Sequence, residues 1–169
     1  FTITNNLAII EAIRANYEKA LDRFLSTLES PIIQENPNFR YASYSNIALI
    51  YYELQEYDKA IAYSKKGLNE EAPFLFQANS YVLLAKIARK MSDKNLIQYV
   101  MDHVPEHEYF ETPKGQINKA DIAASYAELH DHWEEMIKHL STAIEVSNQH
   151  QLLEEAIGFE IRIAEGYFQ

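Results

Sequence analysis

The chain has 169 residues, of which 47% are hydrophobic and 24% charged. This is enough to build a sizeable core with the polarity of an ordinary folded, water-soluble domain. The absence of cysteine excludes disulfides, thiolate catalysis and cysteine-ligated zinc, and a net charge of −10 opposes binding to phosphate backbones, which requires Lys and Arg to displace counterions.

The acidic excess is uneven. Up to Ala85 there are 7 basic and 10 acidic residues, and from Lys86 onward 8 and 15. Only four Gly and five Pro are present, and Val and Thr are sparse beside Leu, Ile, Ala, Glu and Lys, so the expected fold class is all-α. No run is long and apolar enough to span a bilayer and no signal-peptide pattern opens the chain, so the expected setting is the cytoplasm, with no membrane partner.

In chain order, the first segment reads as a helix pair carrying Leu7 and Ala8 in one helix and Tyr17, Ala20, Phe24 and Leu28 in the next. Pro31 and Pro37 stop the helical pattern on either side of a linker. Tyr44, Ile47, Ala48 and Tyr51 then recur at i, i+3, i+4 and i+7, one face of a helix. Ala60, Ser64, Gly67 and Leu68 repeat that spacing in a second helix, where small residues let antiparallel helices approach closely. Tyr81, Leu84, Ala85 and Ala88 overlay the first of these patterns, followed by a helix from about Asp93 to Val104 with Ser92 or Asp93 as N-cap. Pro105, Pro113 and Gly115 mark a longer connection, and helix resumes at about Ile117. Ala123, Ala124 and Ala127 take the packing slots of the fourth pair, Trp133 stands in the place of Tyr57, and Met136 fills a slot held elsewhere by a small residue. The tail places Ile163, Ala164 and Tyr167 where Ile47, Ala48 and Tyr51 stand, as the first helix of a fifth pair. About nine helices are expected, with Ala20, Ala48, Ala60, Ala85 and Ala124 at close crossings. The start at Phe1 inside a helical pattern and the stop after an unpaired helix read as a fragment of a longer protein.

Tyr44, Ile47, Ala48, Tyr51, Tyr57, Ala60, Tyr63, Gly67 and Leu68, with Pro73 after them, resemble a tetratricopeptide (TPR) unit, a helix-turn-helix repeat of roughly 34 residues. The resemblance implies a single domain over residues 1–169, a right-handed superhelix of antiparallel hairpins. Its repeats fall at about 1–34, 38–72, 75–104, 114–149 and a partial 151–169. The long, degenerate period and the tail make the whole chain similar to the C-terminal regulatory domains of Gram-positive peptide-sensing regulators, the PlcR, Rgg and Rap group. That likeness implies a short signalling peptide in the concave groove, homodimerisation, and DNA contact only through an N-terminal helix-turn-helix domain absent here. The alternatives are a generic TPR scaffold for a partner protein and a TPR segment of a larger enzyme.

On a TPR-like array the first helices line the groove, and the slots beside the packing positions hold Asn6, Asn46, Leu49, Tyr52, Asn79, Lys86, Arg89 and Ser125. Further groove slots fall on Asp121, Glu128, Arg162 and Glu165. Asn6 and Asn46 occupy the same slot of adjacent repeats. A carboxamide both donates and accepts, so the pair can clamp a peptide backbone, or alternatively satisfy groups within the stack. Lys86 and Arg89 form a positive spot in an acidic chain, suited to a ligand carboxylate or simply to a solvated face. The two-carboxylate clamp of chaperone-binding TPR domains is not expected, because its third-repeat slots hold Asn79 and Leu83. His103, Glu106 and His107 have metal-like spacing, but Pro105 breaks the helix between them. With no Gly-rich phosphate loop, GxSxG or HExxH sequence, the reading is a non-enzyme without metal or cofactor. The apolar tail, with Ile161, Ile163, Tyr167 and Phe168, is expected to be covered by a partner chain.

Overall fold

A computed structural model describes residues 2–31, 33 and 36–166. Tyr167 and Phe168, proposed above for the dimer contact, lie outside the described residues. Among those described the secondary structure is helical with no strand. The helices are α1 (Thr2–Ile13), α2 (Tyr17–Leu28), α3 (Pro37–Glu53), α4 (Tyr57–Gly67), α5 (Phe74–Met91), α6 (Lys94–His103), α7 (Pro113–Leu129), α8 (Trp133–Gln149) and α9 (Leu153–Gly166), with a 3-10 turn at Glu108–Glu111. The chain forms two compact units, Phe1–Leu83 and Leu84–Gln169, divided inside α5.

One chain reversal recurs at five junctions. Ala15, Gln55, Ser92, Asp131 and Gln151 all adopt left-handed backbone, with φ between 54° and 63°. At each, the N–H of the left-handed residue donates three residues back and the next N–H five residues back, as in Gln55 to Tyr52 (2.9 Å) and Glu56 to Tyr51 (2.8 Å). This is the Schellman closure of a helix end, which satisfies carbonyls that the last turn leaves open. The carbonyl just after the left-handed residue then accepts the first bond of the following helix, from Ala20, Ala60, Ile97, Met136 and Ala156 in turn. All five of these residues are buried. On the preceding helices Ala8, Ala48, Ala85 and Ala124 are buried at one common distance before the first four junctions. Small residues at those positions set how closely the paired helices approach.

In the first unit, α1 packs on α2, α3 on α4, and α2 on α3. Asn36 caps α3, its Oδ1 accepting from the Asn38 N–H (3.2 Å), and Pro37 sits in the first turn, where a missing N–H costs nothing. Gly67 is buried against α5, and a Cβ there would overlap the Ser80 hydroxyl, which would have to turn away.

In the second unit Asp93 caps α6, accepting from the N–H groups of Asn95 (2.9 Å) and Leu96 (3.0 Å). Thr112 caps α7, its Oγ1 accepting from the Gly115 N–H (3.1 Å), with Pro113 as first helical residue. Helix therefore resumes earlier than the expected Ile117: a Thr-Pro start overrides the breaker reading of Pro113 and Gly115. Gly115 is required there because an added Cβ would overlap the Tyr109 carbonyl oxygen and lie 2.7 Å from Phe110 Cα. α8 packs on both α7 and α9. One core layer joins Ile117, Ala120, Ala143 and Val146, and another Ala124, Ala127, Met136 and Leu140; Phe159 of α9 packs on both. Met136 fits its crowded slot because Gly166 lies opposite, where a Cβ would come 2.8 Å from the Met136 methyl.

The register of α9 differs from the expected one. Ala156 and Arg162 are buried and Ile163 packs inward, whereas Ala164 is exposed. The α8–α9 junction is the same closure that elsewhere leads into the second helix of a pair, so α9 packs as a second helix does.

Candidate functional site

In the first unit the candidate ligand residues sit on α1, α3 and α5. Asn6, Leu49 and Asn79 are exposed, and Asn46 and Tyr52 are half-buried. The Tyr52 ring lies 5.9 Å from that of Tyr57, which ties the end of α3 to the start of α4. Among the described residues the buried Asn5 amide oxygen, next to Asn6, and the hydroxyls of Ser43 and Ser45 on α3 and of Ser64 on α4 have no hydrogen-bond partner.

In the second unit Lys86 is exposed, while Arg89 and Ser125 belong to a partly buried ionic cluster. Asp121, Ser125 and Glu128 fall at i, i+4 and i+7 on one face of α7. Arg162 of α9, only 6% exposed, reaches all three. Its Nη1 donates to Asp121 Oδ1 (2.6 Å), its Nε to Glu128 Oε2 (2.8 Å) and its Nη2 to Ser125 Oγ (3.1 Å). The Ser125 hydroxyl in turn donates to the Asp121 carbonyl at 2.8 Å. Glu128 Oε2 also lies 3.6 Å from Arg89 Nε on α5.

Two guanidinium groups thus face two carboxylates, and the cluster is neutral by pairing. Arg89 is accordingly not part of an isolated positive spot with Lys86: Glu128, a helical turn from the Asp121–Ser125 pair, draws it in. Ser125, read from sequence as a groove residue, is fully buried with its hydroxyl engaged on both sides. The role of Arg162 was the part sequence reading missed. Its signal was a lone arginine among the apolar residues of the α9 inner face, opposite two carboxylates, Asp121 and Glu128, two helical turns apart.

Three histidines serve helix ends. His103 Nδ1 donates to the Tyr99 carbonyl (2.8 Å) and His130 Nδ1 to that of Tyr126 (2.9 Å), each ring stacked on its tyrosine at 4.2 Å. His107 Nδ1 accepts from the Tyr109 N–H (3.0 Å), capping the 3-10 turn. Burial raises the Tyr109 phenol above the usual tyrosine range, against the lowering effect of the Asn118 amide, which donates to it at 3.0 Å. Among the described residues no group of three or more His, Asp and Glu side chains converges as a metal site, and no helix is long and apolar enough to cross a membrane.

No protein-family model matches the chain, and no curated protein matches it.

Proposed function

We propose that this chain is a TPR-like helical-repeat domain that binds a short peptide and acts as the regulatory and dimerisation domain of a bacterial peptide-sensing transcription regulator. DNA contact would belong to an N-terminal domain outside this sequence, and the setting would be the cytoplasm. The observation that carries the repeat reading is the recurrence of one closure at five junctions with buried Ala8, Ala48, Ala85 and Ala124 in constant register before four of them. Peptide binding is supported by exposed or half-exposed carboxamides at Asn6, Asn46 and Asn79 beside Leu49 and Tyr52, a mixture suited to backbone clamping and apolar side-chain contact. Lys86 is the cation available for a ligand carboxylate in this reading, since Arg89 is paired with Glu128.

Calorimetry with a pool of short peptides tests it. Asn46→Ala should weaken every bound peptide alike, by about 5- to 150-fold, the equivalent of one clamp hydrogen bond at about 1 to 3 kcal/mol. Undiminished affinity in Asn46→Ala would remove the clamp. A second reading, a scaffold that docks another protein, is favoured by the apolar residues Leu153, Ile157 and Ile161 exposed along α9. Binding of a folded partner through α9, with no peptide bound, would select it.

A further inference from the structure

In the first unit, the start of α3 and the end of α4 flank a shallow, open cleft of about 300 Å³, at the small end of the range for ligand sites. Arg40, Tyr41 and Tyr44 line it from α3, and Lys65 and Lys66 from α4, with Leu68 and Asn69 closing the end. Three of the seven basic residues that precede Lys86 meet here, in a chain of net charge −10. The ion pairs among the described residues do not include Arg40 or Lys66.

The rings hold Lys66 in place. Lys66 Nζ lies 4.2 Å from the centre of the Tyr63 ring and 5.6 Å from that of Tyr44, and Tyr44 in turn packs at 6.1 Å from Tyr63 and 6.4 Å from Tyr41. A lysine stacked on two rings loses freedom before any ligand arrives, so less ordering remains to be done on binding. Desolvation raises the phenol of Tyr63, the ring behind Lys66, above the usual range. Glu70 and Glu71 follow in sequence and are exposed; Asn69 Oδ1 accepts from the Glu71 N–H at 2.8 Å.

We propose that this cleft binds a phosphate monoester, with Arg40, Lys65 and Lys66 on the phosphate and the Tyr44 ring against the group that carries it. Three cations match a charge near −2 better than the single charge of a carboxylate. The guanidinium fork of Arg40 suits two phosphate oxygens, and the lysines act as point charges. The volume exceeds what a bare phosphate needs, which leaves room for a small ring beside tyrosine.

The test uses the full chain at low salt, with phenyl phosphate, inorganic phosphate and benzoate as probes, followed by calorimetry and amide chemical shifts. Phenyl phosphate should bind saturably and more tightly than either of the others, with shifts centred on Tyr44 and Lys66. Arg40→Gln and Lys66→Gln should each weaken it about tenfold or more, as expected for one charge-assisted hydrogen bond, while Lys138→Gln, at an exposed position of the second unit, leaves it unchanged. Adenosine monophosphate and phosphotyrosine amide then separate a nucleotide source from a phosphorylated side chain, and tighter binding of either supports the site. Equal binding of benzoate would overturn the phosphate assignment. Absence of saturable binding, shifts confined to other helices, or full affinity in both glutamine variants would overturn the site itself.

Discussion

Arg162 makes three side-chain hydrogen bonds from a buried position, so removing it tests how the second unit is held together. Arg162→Met would leave the Asp121 carboxylate buried without its cation, and breaking such a pair from one side costs about 3 to 5 kcal/mol. A urea midpoint should fall accordingly. Adding Asp121→Leu should restore much of the loss, because a buried pair replaced on both sides is often neutral or better; no recovery in the double variant would mean that Arg162 acts through packing instead. The sequence placed Asp121, Ser125, Glu128 and Arg162 in groove slots of two separate helices but not against one another. Periodicity shows which residues share a face of one helix, whereas pairing between α7 and α9 depends on the α8–α9 closure, which no residue type announces.

That closure belongs to the scale of the element. The chain uses Ala, Gln, Ser, Asp and Gln at the five left-handed positions, although a non-glycine residue there costs roughly 1 to 2 kcal/mol. Gln55→Gly should therefore raise stability by about 0.5 to 1 kcal/mol after glycine's greater unfolded freedom is subtracted, and Gln55→Val should lower it; thermal unfolding of both reads the sign. Glycine absence is also why these turns were legible as breaks between periodic segments and not as a specific conformation. Two helical glycines give a sharper contrast. Gly115→Ala would drive a methyl into the Tyr109 backbone and should cost several kcal/mol, about the range of strained overpacking or more. Gly158→Ala meets nothing within 4 Å and should stabilise α9 by about 0.8 to 1 kcal/mol. If circular dichroism melts show the two alanine variants shifted the same way, the packing described for α7 is wrong. Helix positions were readable because alanines and aromatics repeat at helical spacing; the start of α7 was not, since proline and glycine signal breaks as readily as first-turn positions.

At the scale of the molecule, Leu153, Ile157 and Ile161 are 62%, 54% and 55% exposed and one helical turn apart on α9. Opposite them Ala156, Phe159 and Ile163 pack inward. An exposed apolar stripe of this kind is a liability unless covered, and a second copy is the cover that the proposed dimer supplies. Sedimentation should show association that Ile157→Lys weakens by at least about tenfold, given the cost of placing a charge in an apolar contact. A wild-type chain that stays monomeric at high concentration would exclude α9 as the dimer surface. The apolar content of the tail marks it as a place of association, but Arg162, assigned to a groove slot, turns inward and Ala164, assigned to a packing slot, turns out, because the α7 carboxylates fix which side of α9 faces in.

The five closures also bear on how quickly the chain reaches its fold. Each joins residues only a few positions apart, so the loop entropy lost in forming a hairpin is small, and architectures dominated by such local contacts fold in microseconds to milliseconds. The Arg162 cluster is different, linking positions 37 and 41 residues apart in its bonds to Ser125 and Asp121. Bonds of that span form after the hairpins exist, when they no longer speed the search; their effect falls on the reverse rate, holding α9 down once it has docked.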